Sequence, residues 1–551
     1  MVEITPPGRA RRRLRVVPDI WSAGAMAIAA VVLLPVIAVV WFAFNPTENI
    51  WPHLLATTFP RYLVNTLVLM TATGIATAVI GTGTAWLVTM YRFPGRRWLQ
   101  WALLMPLAVP AYVGAYALVD FLEYAGPVQT GLRDLFGWQT SRDYWFPEIR
   151  TRGAAAVVLT AALYPYVYLL ARAAFREQYA SGYDVARALG VGPWGRFARV
   201  GLPLARPAIA AGVAVVMMET VNDFGTVDHF AVQTLTTGIF SVWRQAGNLG
   251  GAAQIATVIL VLIVVLVTFE KIARRRSRTV ATARGLRPVE AETLRGARAW
   301  VATTLCALPV LMGFVLPVAV LAGHAGEPSE WVAPGLSSAL WNSLSLGGIA
   351  AVLTVAAGTF MVYGTRLSGR RLPVLLLPVT AIGYAAPGAV LAIGIFLPLA
   401  TLDNAFADMV LRLTGRDPGL LLVGTGAALV LAYFVRFFAI AQGAADAGLG
   451  RISPSLPMAA RSLGRTAGGT LRAVHIPLMR ASVGSALLLV FVDCIKELPA
   501  TLLLKPFGYN TLATRVYHQA SLEDIGGAAP AALTITLVSL VAVALLARTT
   551  R

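Results

Sequence analysis

The sequence has few charged residues and almost no cysteine. Charged residues make up 13% of the chain, against roughly 25% in a soluble domain. The two cysteines, Cys306 and Cys494, lie in apolar runs and lack the spacing of a disulfide framework or a zinc site, so they read as small buried side chains. No glycine-rich loop followed by Lys-Ser or Lys-Thr occurs, which excludes ATP binding by a P-loop. The sequence shows no cluster of a nucleophile, a base or metal ligands that would suggest an enzyme.

Long apolar runs dominate what is present. The composition is 57% hydrophobic, and a run of about 18–20 apolar residues is long enough to cross a membrane. Twelve candidate spans are predicted at residues 20–44, 63–90, 98–121, 154–175, 204–224, 252–272, 298–322, 341–363, 373–400, 419–441, 478–501 and 528–548. The first is too long for the core of a signal peptide, so we expect it to remain as a span. The sequence therefore predicts an all-α integral membrane protein.

The net charge of +19 comes from basic clusters beside these runs, at 9–15, 92–97, 273–278 and 366–371. Placing the clusters in the cytoplasm gives one consistent alternation, with both termini inside. The excess charge then serves topology and contact with anionic lipid. Nucleic-acid binding is disfavoured, since no aromatic-basic module accompanies the charge.

The sequence also repeats itself. DVARALGVGPWGRFARVGLP at 184–203 is matched by MAARSLGRTAGGTLRAVHIP at 458–477, so that Gly464 follows Gly190 at an offset of 274 residues. Asn65 is matched by Asn342 and Pro110 by Pro387. We predict a first half at 1–273, a cytoplasmic linker at 274–297 and a second half at 298–551. Six spans per half make the repeats parallel, related by a pseudo-twofold axis along the membrane normal.

Each repeated segment is amphipathic and interrupted by glycine. Between 177 and 203, apolar residues alternate with arginines, and Gly190, Gly192 and Pro193 predict two short helices joined by a turn. Such an elbow can insert into a cleft on a partner protein and transmit its motion. The alternative is a helix that rests on the membrane surface.

The elbows resemble the EAA motif of type I ABC importer permeases. The matching positions are Asp184, Ala186, Gly190 and Pro203 in the first copy, and Ala459, Ala460, Gly464 and Pro477 in the second. Met458 replaces the acid of the motif in the second copy. The resemblance implies a fused two-half permease in a bacterial inner membrane. Its partners would be an external solute-binding protein and two cytoplasmic ATP-binding cassette subunits. Those subunits, and not this chain, would hold ATP-Mg.

The segments at 218–240 and 496–517 are similar to those of ferric-iron transporter permeases. This resemblance implies ferric iron as the substrate, while thiamine, polyamine and phosphonate importers remain alternatives. An ion-coupled secondary transporter is the alternative from another class, because such carriers also combine repeated halves with intramembrane acids. The duplicated cytoplasmic elbows favour the ATP-driven importer.

Four acids recur at the offset of the elbows. Glu219 and Asp223 are predicted on one face of the fifth span, and Asp493 and Glu497 occupy the equivalent positions. Intramembrane acids usually face a cavity or a partner. Facing each other across the axis, they would form an oxygen-rich ring suited to a trivalent cation. The alternative is a structural role, in ion pairs with Lys496, Arg244 or Arg515.

Other candidates are weaker. Tyr112, Tyr116 and Tyr384 offer oxygen atoms, although packing explains them as well, and His229 and His518 lack ligand spacing. The segments at 122–152 and 224–250 are predicted to lie outside. The aromatic residues of 122–152 fit either an interfacial belt or a docking surface for an external protein.

Overall fold

A computed structural model describes residues 20–46, 48–275, 289–380 and 386–549. The basic cluster at 9–15, most of the predicted linker and Tyr384 lie outside these residues. Eleven described helices are long and apolar enough to cross a membrane: Ile20–Phe44, Phe59–Met90, Arg152–Arg176, Pro193–Asn222, Leu249–Ile272, Ala297–His324, Leu336–Ser368, Gly388–Thr414, Gly426–Gly450, Ala467–Lys496 and Ile525–Leu545. They confirm the prediction of a multi-span helical membrane protein.

The predicted third span, 98–121, is not one straight helix. Its residues belong to two segments, Arg96–Ala108 and Ala111–Phe136, which meet at an angle of 94°. Pro110 sits between them with φ −58° and ψ 142°. Proline cannot donate a backbone hydrogen bond, and this extended conformation ends the helix before it. Counting the bent pair as one span gives the twelve that the sequence predicts.

The equivalent proline has the same backbone geometry. Pro387 precedes helix Gly388–Thr414 with φ −55° and ψ 147°. The repeated proline therefore starts a helix in both halves. The predicted ninth span, 373–400, is correspondingly divided, since helix Arg371–Thr380 ends before it.

Shorter elements connect the spans. The short helices are Trp51–Ala56, Pro127–Phe136, Ala180–Ala188, Gly225–His229, Leu235–Phe240, Pro328–Trp331, Arg371–Thr380, Ser455–Ser462, Pro499–Leu504 and Leu512–Ser521. Single π-helical turns occur at Phe197–Gly201, Ser241–Gln245, Leu311–Val315 and Leu471–His475. Two short strands, Tyr91–Arg92 and Glu292–Thr293, pair in parallel.

The repeated sequence produces repeated hydrogen bonds. Asn65 donates its side-chain amide to the carbonyl of Gln233 at 2.7 Å. Asn342 donates in the same way to the carbonyl of Asn510 at 2.9 Å. Both bonds join the second span of a half to the segment that follows its fifth. The correspondence of Asn65 and Asn342 is thus structural as well as sequential.

The first helix packs away from its neighbours in sequence. Helix Ile20–Phe44 lies against Leu336–Ser368 and Gly388–Thr414 from the other half of the chain. Gly394 permits this approach, because a Cβ there would meet the backbone carbonyl of Pro35. Small residues allow helices to approach closely in a membrane. The chain therefore interleaves its two halves around a common core.

Candidate functional site

The first elbow, residues 180–201, begins with helix Ala180–Ala188 and turns at Gly190. Gly190 has a φ of +74°, a conformation that glycine adopts without strain. The amide of Val191 donates to the carbonyl of Ala186 at 2.9 Å, and the amide of Gly190 to that of Arg187 at 3.0 Å. This pair of bonds is a Schellman motif, which satisfies carbonyls at the end of the helix.

The second elbow, residues 455–475, closes in the same way. Helix Ser455–Ser462 is followed by a turn at Gly464, whose φ is +82°. The amide of Arg465 donates to the carbonyl of Ala460 at 3.1 Å, and the amide of Gly464 to that of Arg461 at 3.1 Å. The two glycines that the sequence singles out therefore occupy one conformation in one hydrogen-bonded turn.

The second arm of each elbow is longer than predicted. The turns after Gly192 and Thr466 do not form separate short helices, but continue into the 30-residue helices Pro193–Asn222 and Ala467–Lys496. A π-helical turn lies in each arm just before Pro203 or Pro477. Such a turn accommodates a proline that cannot continue the usual hydrogen-bond pattern. The second arm of each elbow is thus continuous with a span.

The elbows present apolar side chains to the surroundings. Val185, Leu189 and Trp194 are 60%, 76% and 76% exposed, and Met458 and Leu463 are 68% and 84% exposed. Contiguous exposed apolar surface marks interaction sites.

The other motif positions divide by burial. Asp184, Gly190, Ala459, Gly464 and Pro477 are exposed. Ala186 and Ala460 are buried at 8% exposure, and Pro203 is partly buried. Each elbow thus has one face against the protein and one face outward.

A contact that the sequence analysis missed holds the first elbow. The carboxylate of Glu292 accepts hydrogen bonds from Arg187, on the first arm, and from Arg196, on the second arm at 3.3 Å. The bond from Arg196 is the main reason that the pKa of Glu292 lies below its ordinary value. The strand Glu292–Thr293 is itself paired with Tyr91–Arg92. The end of the predicted linker is therefore tied to both arms.

A cavity of about 160 Å³ brings the four candidate acids together. Residues of both halves line it, among them Tyr112, Glu219, Asn222, Asp223, Arg436, Asp493, Lys496 and Glu497. The sequence correctly placed the acids at equivalent positions. It did not indicate the cationic Arg436, whose role depends on a partner distant in sequence.

Two of the acids are helix caps. Asp223 follows the end of helix Pro193–Asn222 and accepts backbone hydrogen bonds from Thr226 at 3.0 Å and Val227 at 3.1 Å. Glu497 accepts the equivalent bonds from Ala500 and Thr501, both at 3.0 Å. The expectation that Asp223 shares a helical face with Glu219 is wrong, since Asp223 lies beyond the last helical residue.

The other two acids differ from each other. Asp493 forms an ion pair with Lys496 at 3.1 Å, one of the structural pairs considered from the sequence. Glu219 makes no hydrogen bond or ion pair with any described residue. Arg436 lies 3.6 Å from Glu497, whose side chain is 1% exposed. Arg244 and Arg515 bond to backbone carbonyls of Leu502 and Pro334 instead of to the acids.

The four acids do not form a preassembled ring for a metal ion. Among the described residues, no group of three or more His, Cys, Asp or Glu side chains could hold one. The hydroxyl of Tyr112 and the side-chain oxygen of Asn222 are buried without a hydrogen-bond partner. The cavity therefore offers unpaired oxygen atoms near Glu219, but in a site that a cation would have to reorganise.

The remaining candidates lie elsewhere. Tyr116 packs edge-on against His229, with ring centroids 4.6 Å apart, and His518 is exposed. In the segment 122–152, the rings of Phe136, Trp138 and Tyr144 form a stack with centroids 4.7 and 4.8 Å apart.

Comparison with known proteins shows a family match over part of the chain and similarity to several permeases. Residues 77–279 match the model of the binding-protein-dependent transport system inner membrane component. The chain is 26% identical over 494 residues to the Fe(3+)-transport system permease protein FbpB 2 of Haemophilus influenzae, covering 88% of this chain and 89% of that protein. It is 23% identical to the ferric transport system permease protein FbpB of Actinobacillus pleuropneumoniae, over 81% of this chain and 64% of that one. It is 28% identical to the molybdenum transport system permease protein ModB of Escherichia coli, over 35% and 84%.

Proposed function

We propose that this chain, an ABC importer permease for binding-protein-dependent transport, carries ferric iron. The observation that carries the proposal is the unpaired carboxylate of Glu219 in a cavity lined by both halves. The relatives named for ferric transport, similar over most of the chain, support it. Carboxylate and hydroxyl oxygens suit a hard cation.

The charges in the cavity favour a cation. Lys496 is matched by Asp493, and Arg436 lies beside Glu497, so neither base is left without an acid. Asp223 is stabilised by the amides at the start of helix Gly225–His229. Glu219 has no ion pair of its own, and the described lining of the cavity has four carboxylates against two basic side chains.

An oxyanion is the second candidate. Arg436 and Lys496 line the cavity, and the chain is similar over about a third of its length to a molybdenum permease. An anion would have to draw these bases away from their acids. A competition assay separates the two candidates. If the substrate is ferric iron, excess unlabelled ferric iron blocks uptake and molybdate does not; if the substrate is an oxyanion, molybdate blocks uptake and ferric iron does not.

The driving force would come from two cytoplasmic ATP-binding cassette subunits, which hold ATP-Mg. Their contact points would be the exposed apolar residues of the two elbows. Because each elbow continues into a span, movement of its first arm would tilt that helix. Coupling requires a difference in contact free energy between the nucleotide states.

The membrane would be a bacterial inner membrane with both termini in the cytoplasm. The external binding protein would then meet the opposite face, where the stacked aromatic segment 122–152 is a candidate surface. Trp145 in that segment is 86% exposed.

The test is uptake of radioactive iron into vesicles that contain the permease, its ATPase subunits and its binding protein. Changing Glu219→Gln together with Asp493→Asn keeps shape and removes negative charge, and we expect at least a tenfold loss of ferric uptake. ATP hydrolysis and expression should be retained. Unchanged iron uptake would remove these acids from the path, while leaving the permease assignment intact. Lost expression or uncoupled hydrolysis would instead indicate a structural role.

A further inference from the structure

A second, larger cavity lies at the ends of two spans. It has a volume of about 710 Å³, and its lining includes Arg92, Arg96, Trp101, Arg172, Arg176 and Glu290. Arg92 lies two residues beyond the end of span Phe59–Met90, and Arg172 and Arg176 belong to the last turns of span Arg152–Arg176. Nothing in the proposed transport path uses these residues.

The cavity has a surplus of positive charge. Four guanidinium groups line it, and Glu290 is the single carboxylate among its described lining residues. Arg96 donates to the carbonyl of Val88 at 2.7 Å, and Arg172 to the side-chain oxygen of Gln100 at 3.1 Å. These partners are neutral, so they hold the arginines without cancelling their charge.

The remaining arginines are not neutralised either. Within the described part of the chain, Arg92 and Arg176 take part in no ion pair. Like charges held close together repel one another unless an opposite charge lies among them. A cavity with this surplus is therefore suited to an anion.

The second half shows how the same motif looks when it is neutralised. The cluster RFPGRR, which begins at Arg92, is repeated as RLSGRR, which begins at Arg366. Arg366 pairs with the carboxylate of Asp446 at 2.7 Å. At the offset of 274 residues, Asp446 corresponds to Arg172. The first half thus has the base Arg172 at the position where the second half has Asp446, the acid that pairs with Arg366 of its RLSGRR cluster.

We propose that this cavity binds the phosphate of an anionic phospholipid headgroup. Guanidinium groups match phosphate oxygens with paired hydrogen bonds, and basic pockets at the ends of spans bind acidic headgroups. Because the arginines lie at the ends of two candidate spans, we expect them at headgroup depth. Trp98 and Trp300, which are 66% and 64% exposed, lie on two helices that pack beside the cavity. Exposed tryptophans typically lie at this interface.

The guanidinium of Arg172 is held in place for this role. Its central carbon lies 5.2 Å from the centroid of the Trp101 ring, and one of its nitrogens donates a hydrogen bond to the side chain of Gln100. A preorganised arginine loses less conformational freedom on binding than a free one. The site concerns the lipid surroundings and does not depend on which substrate is transported.

The experiment is native mass spectrometry of the purified full chain, titrated with phosphatidylglycerol or with phosphatidylcholine of the same acyl chains. We expect tighter retention of phosphatidylglycerol. Arg176→Gln should weaken that retention by about fivefold, the effect of about 1 kcal/mol per basic residue. Arg172→Asp, which introduces the acid of the second half, should weaken it further.

Arg366→Gln is the matched control, because it removes one positive charge from the sister motif and should leave retention unchanged. Equal binding of both lipids, or an equal loss in Arg366→Gln and Arg176→Gln, would overturn the site. Inorganic phosphate is added in a separate titration. If it displaces phosphatidylglycerol at low millimolar concentration, the cavity is a site for a soluble anion and the lipid proposal fails. Should Arg172→Asp not fold, Arg176→Gln still decides, since it leaves the Trp101 and Gln100 contacts intact.

Discussion

At the cavity that holds the four acids, the two halves share one scaffold and differ in charge. Asp223 and Glu497 cap equivalent helices, but Arg436 and Lys496 of the second half stand where the first half has Ala162 and Asn222. Duplication therefore preserved the acids that cap the short helices after the fifth span of each half. The two bases that line this cavity, by contrast, come from one half. The asymmetry indicates that, after a duplication, the two halves can keep the residues that cap helices and still diverge in the charged residues that line the cavity.

The elbows show the same principle on the other side of the spans. Their glycine turns are alike in φ and in hydrogen bonding. Glu292 binds both arms of the first elbow. Within the described residues, no carboxylate pairs with an arginine of the second elbow. Instead, the hydroxyl of Tyr363 donates a hydrogen bond to the carbonyl of Ala467 in that elbow. The two elbows share a turn and differ in what holds it.

The largest expected effect comes from the shared turn. Gly190→Pro or Gly464→Pro should abolish uptake while leaving the protein inserted, because proline fixes φ near −65° and cannot adopt the positive value found here. Uptake in reconstituted vesicles with matched expression is the measurement. The second elbow lacks the acid of the family motif at Met458, so the two losses need not be equal.

Gly415→Pro is the matched control for this comparison. Gly415 also ends a helix with a positive φ, +68°, but after helix Gly388–Thr414, outside both elbows and outside the segment 122–152. It should carry the same local strain without touching an elbow. If Gly415→Pro abolishes uptake as fully as Gly190→Pro, general misfolding explains both, and the coupling role of the elbows is lost.

The next effect tests the charge asymmetry. Arg436→Met removes the partner of Glu497, whose side chain is 1% exposed, and breaking a buried pair from one side costs about 3–5 kcal/mol. Lys496→Met should cost much less, because Lys496 and Asp493 are 22% and 26% exposed. Thermal unfolding in detergent measures both. Equal destabilisation would contradict the burial argument, and Glu497→Gln added to Arg436→Met should recover part of the loss.

The sequence predicted those features that depend on local pattern. Span length and the glycine turns can be obtained from residues close together in the chain. The repeat offset follows from comparing the two halves of the sequence. The bend at Pro110 was missed because an apolar run of the right length hides the break within it.

Two contacts could not be foreseen because their partners are far apart in sequence. Glu292 reaches Arg187 over 105 residues, and Arg436 reaches Glu497 between different helices. Neither Glu292 nor Arg436 lies in a repeated motif. The positions of the acids were predictable from the offset, but their roles as caps depend on where each helix ends, which a pattern fixes only within a few residues.

The smallest effect concerns the contact that only the first elbow has. Glu292→Gln should loosen the first elbow by about 1 kcal/mol or less, since the pair is partly exposed. Hydrogen exchange should rise severalfold in residues 180–201 and stay constant in residues 455–475, which serve as the internal control. A parallel rise in both elbows would show that Glu292 acts on the whole fold.

The pH dependence sharpens this last prediction. The folded-state pKa of Glu292 lies below its ordinary value of 4.5, chiefly because of the hydrogen bond from Arg196. A lowered carboxylate pKa stabilises the fold fully above the unfolded pKa, and the stabilisation is lost as pH falls through the folded value. The difference in exchange between wild type and Glu292→Gln, corrected for intrinsic rates, should therefore be constant from about pH 8 to pH 5. A difference that shrinks within this range would mean that another titrating group, and not Glu292, holds the two arms together.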